Sequence, residues 1–279
     1  RLEPVTVPKW VRGNESLTLL EPRRDTLFMI GLGNSVGTPP EGITAPVVAV
    51  KDEKELEALG DKAKGKIVLF DNPMPPYDPI QGSRYGETVR FRSRGAQLAA
   101  KQGAVACLVR SVTARSLRSP HTGATNYGDA PVKIPAAAIS IEDAAMISRL
   151  QARDVPVVVQ LKMEAKFEEP AQSANVVGEL RGSELPDEIV VIGGHIDSWD
   201  AGTGAHDDGG GCVQAMEAIT ALRKLGLKPR RTIRVVLWTN EENGLAGGKQ
   251  YAKDHEAELS KHVVAIESDG GSFKPADYS

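Results

Sequence analysis

The feature that most constrains the fold is an alternation of apolar, β-rich runs with helix-like segments towards the C-terminal end. Residues 188–195, 230–242 and 262–269 are rich in Val and Ile, and the segments 211–226 and 247–259 separate them. Continuous apolar strands that are joined through helices form a mostly parallel sheet with helices on both faces. We therefore predict an α/β fold for this part of the chain.

A second region, residues 39–166, has a different pattern of short β-branched runs separated by turns. A Pro- and Gly-rich stretch at 72–86 is predicted to be irregular. The glycine run at 31–37 lacks both the spacing and the following helix of a dinucleotide-binding loop, so we interpret it as a turn. The predicted strands are 45–50, 65–71, 104–109, 134–140 and 155–163, and the predicted helices are 93–103 and 140–150, the latter capped by Ser140.

Length, charge and cysteine content exclude several classes of protein. The 279 residues suffice for about two domains, and 34 basic against 37 acidic residues give a net charge of -3, without a basic stripe for nucleic acid. No apolar run reaches the roughly 18 residues that span a membrane. Two distant cysteines exclude a disulfide framework. The chain starts at Arg1 without a leader, so we expect it to be processed or excised.

Metal-binding residue types follow each of the three strands near the C-terminal end. The carboxyl ends of parallel strands meet at one edge of a sheet, so we expect these side chains to converge on one crevice. A single acidic or histidine residue after a strand is a weak signal of a metal site. Such residues after three consecutive strands are a much more specific one. The residues are His195, Asp197, Asp207 and Asp208 after the first strand, Glu241 and Glu242 after the second, and Asp269 after the third.

This set of side chains suits a pair of zinc ions. Neutral imidazole and carboxylate oxygens are typical ligands of Zn²⁺. Several carboxylates in one crevice repel one another without a cation, and two cations neutralise them better than one. In two-metal sites a carboxylate bridges both ions and a shared hydroxide attacks the substrate. A glutamate that is not a ligand can accept the proton of that water and pass it to the leaving amine. The adjacent pair Glu241 and Glu242 offers one base and one ligand.

The sequence resembles a known family of zinc exopeptidases, which includes leucyl aminopeptidases and glutamate carboxypeptidases. The motifs that carry the resemblance are "SVGTPPEGI", "SPHTG", "GHIDSWD", "GAHDDGGG", "TNEENG" and "ESDGGSF". They are most similar to the plasma glutamate carboxypeptidase branch, over nearly the whole chain. The resemblance implies a mostly parallel mixed sheet with helices on both faces, carrying an inserted β-rich protease-associated (PA) domain. It assigns 1–37 and 168–279 to the peptidase domain and 38–167 to the PA domain.

The resemblance also implies the metal ligands. His195 and Asp269 would bind one zinc ion, Glu242 would bind the other, and Asp207 would bridge the two. The family has a further histidine ligand on the zinc ion of Glu242, at a position that this sequence does not contain. We therefore expect the remaining ligand to lie beyond residue 279, so that this chain alone could be inactive.

Two other residues have implied catalytic roles. Asp197 would orient the imidazole of His195 by accepting its second N–H. Glu241 would be the general base and then the general acid. The peptide bond between Asp207 and Asp208 is expected to be cis.

Several residues near these motifs are expected to have structural roles. Asp200 and Asp208 are predicted to be loop or capping groups, Cys212 to pack, and Trp199 and Trp238 to form walls or core. For His121 both a packed loop position and a substrate contact stay open. We further expect a structural or solvent-facing role for His206, an exposed position on a charged helix for His255, and no ligand role for His262. One buried apolar stripe is predicted on the first helix of the C-terminal region, formed by Ala215, Met216, Ile219, Leu222 and Leu225.

The leading functional hypothesis is a dinuclear zinc exopeptidase that cleaves small peptides or dipeptides. An aminopeptidase of the same fold is one alternative, and a non-catalytic, receptor-like protein with the PA and peptidase folds is another. A single-zinc glutaminyl cyclase is disfavoured, because the His195-x-Asp197 motif is intact and a PA insertion is present. The resemblance further implies a possible homodimer and a secreted, periplasmic or lysosome-like location.

Overall fold

The structure is a computed structural model that describes residues 1–115 and 117–271. It divides the chain into two compact units. The terminal unit consists of Arg1–Lys9 and the chain from Glu169 onward, and the central unit consists of Trp10–Glu168. Residues 10–37, which were expected in the peptidase domain, therefore lie with the residues of the expected PA domain.

The central unit contains an eight-stranded mixed sheet in the order β3-β2-β9-β5-β6-β7-β8-β4. The neighbours β5, β6, β7 and β8 pair in parallel, and the other pairs are antiparallel. The strands are β2 (Glu15–Glu21), β3 (Asp25–Leu27), β4 (Met29–Gly31), β5 (Ile43–Val50), β6 (Ile67–Phe70), β7 (Ala106–Arg110), β8 (Ala136–Ile139) and β9 (Val158–Met163). The helices are α1 (Glu53–Leu59), α2 (Tyr85–Lys101) and α3 (Ile141–Gln151).

The middle strands of this sheet are buried on both faces, and this explains their sequence. All four residues of β6 and all four of β8 are buried. On one face Phe70 stacks on Phe91 of α2, with ring centroids 5.0 Å apart. On the other face Leu161 of β9 packs with Ile147 of α3. Uninterrupted apolar runs are what such doubly covered strands require.

All five strands and both helices predicted in this region are present, with shifted ends. Helix α3 is capped as predicted, because Oγ of Ser140 accepts the N–H of Asp143 at 3.1 Å. Helix α2 begins at Tyr85 rather than at residue 93, so its first two turns were wrongly included in the irregular stretch or left unassigned. Strands β2, β3 and β4 and helix α1 were not predicted.

The terminal unit contains a five-stranded sheet in the order β1-β10-β12-β11-β13. Strand β11 pairs in parallel with both β12 and β13, and β10 pairs antiparallel with β12. The strands are β1 (Leu2–Val11), β10 (Lys166–Leu180), β11 (Leu185–His195), β12 (Arg231–Trp238) and β13 (His262–Glu267), and the helices are α4 (Gly209–Lys224) and α5 (Ala246–Asp254), with a 3-10 helix at Glu256–Lys261.

Helices α4 and α5 pack on opposite faces of this sheet. Cys212 and Ala215 of α4 contact Val235 and Leu237 of β12. Tyr251 of α5 lies in a separate cluster around Val236, which projects from the other side of the same strand. The mixed, mostly parallel sheet with helices on both faces is thus confirmed. No helix among the described residues is both long and apolar enough to cross a membrane.

The stripe predicted on α4 is wrong in part. Ala215 is buried and Ile219 is half-buried, but Met216 and Leu225 are exposed. The helix packs against β12 through Cys212, Ala215 and Ile219, and neither Met216 nor Leu225 belongs to this cluster. The apolar face of the helix is therefore wider than the part of it that the sheet covers.

The prediction for His255 is also wrong. Its side chain is only 11% exposed, because its ring stacks on Tyr251 and its two nitrogens face Glu3 of β1 and Glu258 of the 3-10 helix. Buried Arg234 of β12 donates to the carboxylate of Glu258 at 2.7 Å and lowers the pKa of Glu258 to about 2. A charged network therefore ties the first strand of the chain to the end of α5.

The alternation of buried and exposed residues along β9 can be tested by substitution. Leu161 is fully buried, whereas its neighbour Lys162 points to the exposed face. We expect Leu161→Ala to lower the free energy of unfolding of the central unit by about 2–5 kcal/mol, since it removes buried methyl groups and leaves a cavity. Lys162→Ala is the matched control and is expected to cost within about 0.5 kcal/mol. Urea unfolding measures both, and equal losses would contradict the register of β9.

Candidate metal centre

The register of the parallel strands brings three chain segments to one edge of the terminal sheet. His195 at the end of β11 pairs with Trp238 at the end of β12, and Gly193 pairs with Glu267 at the end of β13. The residues that follow these strand ends must therefore lie near one another. Ligand sites of open α/β sheets occupy this position.

Three of the four predicted metal ligands converge at this edge. Nε2 of His195 lies 3.0 Å from Oδ1 of Asp207 and 3.3 Å from Oδ1 of Asp269. One ligand atom from each of the three residues lies within 4.8 Å of the others. The imidazole is buried, whereas the two carboxylates are exposed, so the cluster opens to solvent on the side of the acids.

The hydrogen bonds of His195 fit a cation at this cluster. Its Nδ1 lies 2.9 Å from the carbonyl oxygen of Asp197, which can only accept, so in the neutral ring the proton is on Nδ1. Nε2 then presents a lone pair to the carboxylates of Asp207 and Asp269. Nε2 is buried and has no hydrogen-bond partner among the described residues. A lone pair that faces two carboxylates is unfavourable without a positive charge, which either a proton on Nε2 or a divalent metal ion supplies, and imidazole with carboxylates is a donor set that suits such a metal.

Asp197 contacts the predicted site with two different groups. Its carbonyl oxygen, rather than its carboxylate, is the group within hydrogen-bond distance of Nδ1 of His195, because the nearer carboxylate oxygen is 3.9 Å away. The carboxylate instead accepts the main-chain N–H groups of Glu241 at 2.9 Å and Glu242 at 3.3 Å. Asp197 therefore connects the residue that presents Nε2 with the turn that carries both glutamates.

The carboxylates of the site carry shifted pKa values. Burial raises the pKa of Glu242 to about 7, and the negative charges of Asp207 and Glu241 add to this effect. Burial also raises the pKa of Glu241, although the neighbouring His195 opposes this shift. Burial by itself would lower the pKa of His195, but the hydrogen bond to Asp197 and the charges of Asp269 and Glu241 raise it to about 9. The acidic groups thus favour bound protons or another cation.

Two features of this site could not be read from the sequence motifs. The side chain of Trp199 forms a hydrogen bond with the carboxylate of Glu242 and lowers its pKa, whereas we predicted only a wall or core role for this residue. Asp208 is a cap of α4, as predicted, but its carboxylate also accepts the main-chain N–H of His195. The peptide bond between Asp207 and Asp208 is cis, as expected.

The remaining candidates lie around the cluster or away from it. His206 and Asp200 are exposed, and Cys212 is buried in the first turn of α4. Trp238 packs against the apolar cluster on the α5 face. His121 belongs to the central unit, where its main-chain N–H donates to Oγ of Ser111 at 2.9 Å. Ser272 and Phe273, the last residues of the "ESDGGSF" motif, lie outside the described residues.

Comparison with known proteins agrees with the resemblance inferred from the motifs. Residues 175–278 match Peptidase family M28, and residues 43–147 match the PA domain. Carboxypeptidase Q of Xenopus laevis is 49% identical over 98% of this chain and 57% of its own length. The solved structure of a Peptidase M28 precursor from Shewanella amazonensis SB2B is 44% identical, with a TM-score of 0.91 over 97% of this chain and 61% of that chain.

A more distant structure shows the same fold. A zinc aminopeptidase from Bacillus subtilis is 24% identical, with a TM-score of 0.64 over 96% of this chain and 58% of its own. The chain spans about 57% of the length of the curated relative from Xenopus laevis. The recognition of the family and of the PA domain is thereby confirmed.

The shifted pKa values predict how pH acts on the metal-free protein. Protonated His195 stabilises the fold below its ordinary pKa of 6.5, and this contribution is lost as the pH rises through about 9. Glu242 acts in the same direction, from its ordinary 4.5 to about 7. We therefore expect the free energy of unfolding of the chelator-treated protein to fall between pH 5 and pH 9, measured by denaturant titration.

Added Zn²⁺ is the control for this experiment. A cation replaces the protons that the site otherwise holds, so we expect a weaker pH dependence and a larger stabilisation by Zn²⁺ at the alkaline end. The same pH dependence with and without Zn²⁺ would show that His195 and its acidic neighbours do not form the binding site.

Proposed function

Because residues 175–278 belong to Peptidase family M28 and residues 43–147 to the PA domain family, we propose that this protein is a dinuclear zinc exopeptidase that hydrolyses small peptides. The observation that carries the proposal is the convergence of the buried Nε2 of His195 with the carboxylates of Asp207 and Asp269, which lie 3.0 Å and 3.3 Å from it. Such a cluster at the carboxyl ends of parallel strands is the arrangement that a metallopeptidase needs.

The chain supplies distinct groups for two ions. His195 and Asp269 would hold one ion, Glu242 would hold the other, and Asp207 would bridge them. Support for the bridging role comes from Asp207 itself, which is close to His195 on one side and raises the pKa of Glu242 through its charge. The resemblance predicts a further histidine ligand for the ion of Glu242, and no position in this sequence matches it. When bound, the ions act as Lewis acids that activate water and polarise the scissile carbonyl.

Glu241 is the group that we assign to proton transfer. It lies at the same strand edge, and its main chain is fixed by the carboxylate of Asp197. Burial raises its pKa towards the range in which a carboxylate exchanges protons efficiently near neutral pH. It would take the proton of the attacking water and deliver it to the nitrogen of the leaving amine, so that it starts and ends the reaction ionised.

The substrate class follows from the relatives rather than from the site geometry. The Xenopus laevis relative is a carboxypeptidase Q, and its identity of 49% extends over both matched domains. We therefore favour carboxypeptidase-type cleavage of dipeptides and other small peptides over aminopeptidase action. Homodimer formation and a secreted, periplasmic or lysosome-like location stay predictions of the resemblance.

The experiment measures metal content and the hydrolysis of dipeptides with and without a chelator. Dipeptides blocked at the amino or at the carboxyl terminus distinguish carboxypeptidase from aminopeptidase action. A protein that binds no metal and cleaves none of them would fit the receptor-like alternative. Hydrolysis that persists after complete metal removal would exclude the metallopeptidase proposal.

Glu241→Gln tests the proton-transfer role. We expect kcat to fall by about 10²–10⁴-fold, because an amide cannot accept the proton of water. Zn²⁺ content is expected to stay unchanged, since Glu241 is assigned no metal. The matched control is Glu256→Gln, the same change at an exposed position of the 3-10 helix, and it should leave kcat unchanged. Equal turnover by Glu241→Gln and the parent protein would refute the mechanism.

A further inference from the structure

Asp208 is a buried carboxylate for which the proposed reaction has no use. Its side chain is only 1% exposed, and burial raises its pKa. Oδ2 accepts the main-chain N–H of His195 at 3.0 Å, and Oδ1 accepts that of Gly211 at 2.9 Å. A helix cap requires only the second bond. The bond from Oδ2 instead joins Asp208 to His195 at the end of β11. His195 is the residue whose Nε2 belongs to the metal cluster, by which we mean the candidate ligands His195, Asp207 and Asp269.

The carbonyl group of His195 is held from the same side. The thiol of Cys212 donates to this oxygen, with Sγ 3.2 Å away. The N–H and the C=O of His195 are thus bonded to two residues of the segment that directly follows Asp207. The ring itself is fixed separately, through Nδ1 and the carbonyl oxygen of Asp197. The main-chain N–H, the main-chain carbonyl oxygen and Nδ1 of His195 therefore each have a hydrogen-bond partner, and only Nε2 is left for the metal cluster.

Two glycines make room for the carboxylate of Asp208. A Cβ atom on Gly194 would lie 2.4 Å from Oδ2, and one on Gly211 would lie 2.5 Å from Oδ1. Real Cβ atoms do not approach other atoms so closely, so only glycine fits at either position. The carboxylate fills a narrow slot between two stretches of main chain.

We propose that Asp208, assisted by Cys212, is a positioning residue for the metal centre. Because Asp207 and Asp208 are adjacent in the chain, the bond from the Asp208 carboxylate to His195 fixes the main chain of Asp207 relative to that of His195. The separation between the imidazole and the carboxylate of Asp207 is therefore set before any ion binds. Groups of this kind raise metal affinity because the ligands need no ordering on binding. The inference rests on the proposed function of the site.

Asp208→Asn is the decisive variant, because it keeps the size and shape of the side chain. A carboxylate accepts two N–H groups, whereas an amide has one acceptor oxygen and one donor NH₂ group. The NH₂ group would face a main-chain N–H, so either His195 or Gly211 would lose its partner. We expect the dissociation constant for Zn²⁺ to increase by about 10–100-fold, measured by competition with a chromophoric chelator. Activity should recover at saturating Zn²⁺.

Thr232→Val is the matched control for a general loss of stability. The buried hydroxyl of Thr232 accepts the N–H of Gly182 at 3.0 Å and donates to the carbonyl of Pro186 at 2.7 Å. It lies near the start of β12, at the opposite end of the strand from the metal cluster. This variant is expected to lower the denaturant midpoint and to leave the Zn²⁺ affinity unchanged.

A milder variant keeps the inference testable if Asp208→Asn does not fold. Cys212→Ala removes the hydrogen bond from the thiol to the carbonyl oxygen of His195. We expect it to weaken Zn²⁺ binding by a smaller factor than Asp208→Asn does. Unchanged Zn²⁺ affinity in the folded variants would overturn the inference. The proposed function fails separately, if His195→Ala leaves the Zn²⁺ affinity of the protein unchanged.

Discussion

The parallel register of β11 with β12 and β13 is the constraint on which the candidate site depends. It places His195 opposite Trp238 and Gly193 opposite Glu267, so three strands end at the same edge. Shifting any strand by one residue would turn its side chains to the other face and separate the ligands. The hydrogen-bonded sheet therefore brings the three chain segments to one edge, and the segments that follow the strands carry the candidate metal ligands.

The sequence predicts those parts of the molecule in which the order of apolar and polar residues along a short segment matches the burial of that segment in the fold. Helices cover both faces of the sheet around β11 and β12, and the apolar runs at 189–192 of β11 and 235–238 of β12 are visible without any knowledge of partners. The convergence of His195, Asp207 and Asp269 follows from the same pattern, because parallel strands must end together. The cap of α3 by Ser140 is likewise a local signal, since it involves residues only three apart.

The parts that were missed depend on partners far away in the chain. Strand β2 pairs with β9 across more than 130 residues, and its mixed polarity gives no sign of this. His255 is half-buried, and its Nε2 lies 3.1 Å from a carboxylate oxygen of Glu3, which is 252 residues away in the chain. The bond from Asp208 to the main chain of His195 spans only 13 residues, yet it depends on a fold of the intervening loop that composition does not reveal. Short-range periodicity carries no information about such contacts.

Asp197 links the two strand ends that carry the candidate site. One residue holds the ring of His195 through its carbonyl oxygen and the turn of Glu241 and Glu242 through its carboxylate. A substitution that moves the backbone at position 197 would displace the proposed metal ligand His195 and the proposed proton-transfer group Glu241 together. The ends of β11 and β12 are therefore coupled through Asp197, and we expect the effects of substitutions at the two strand ends to be non-additive.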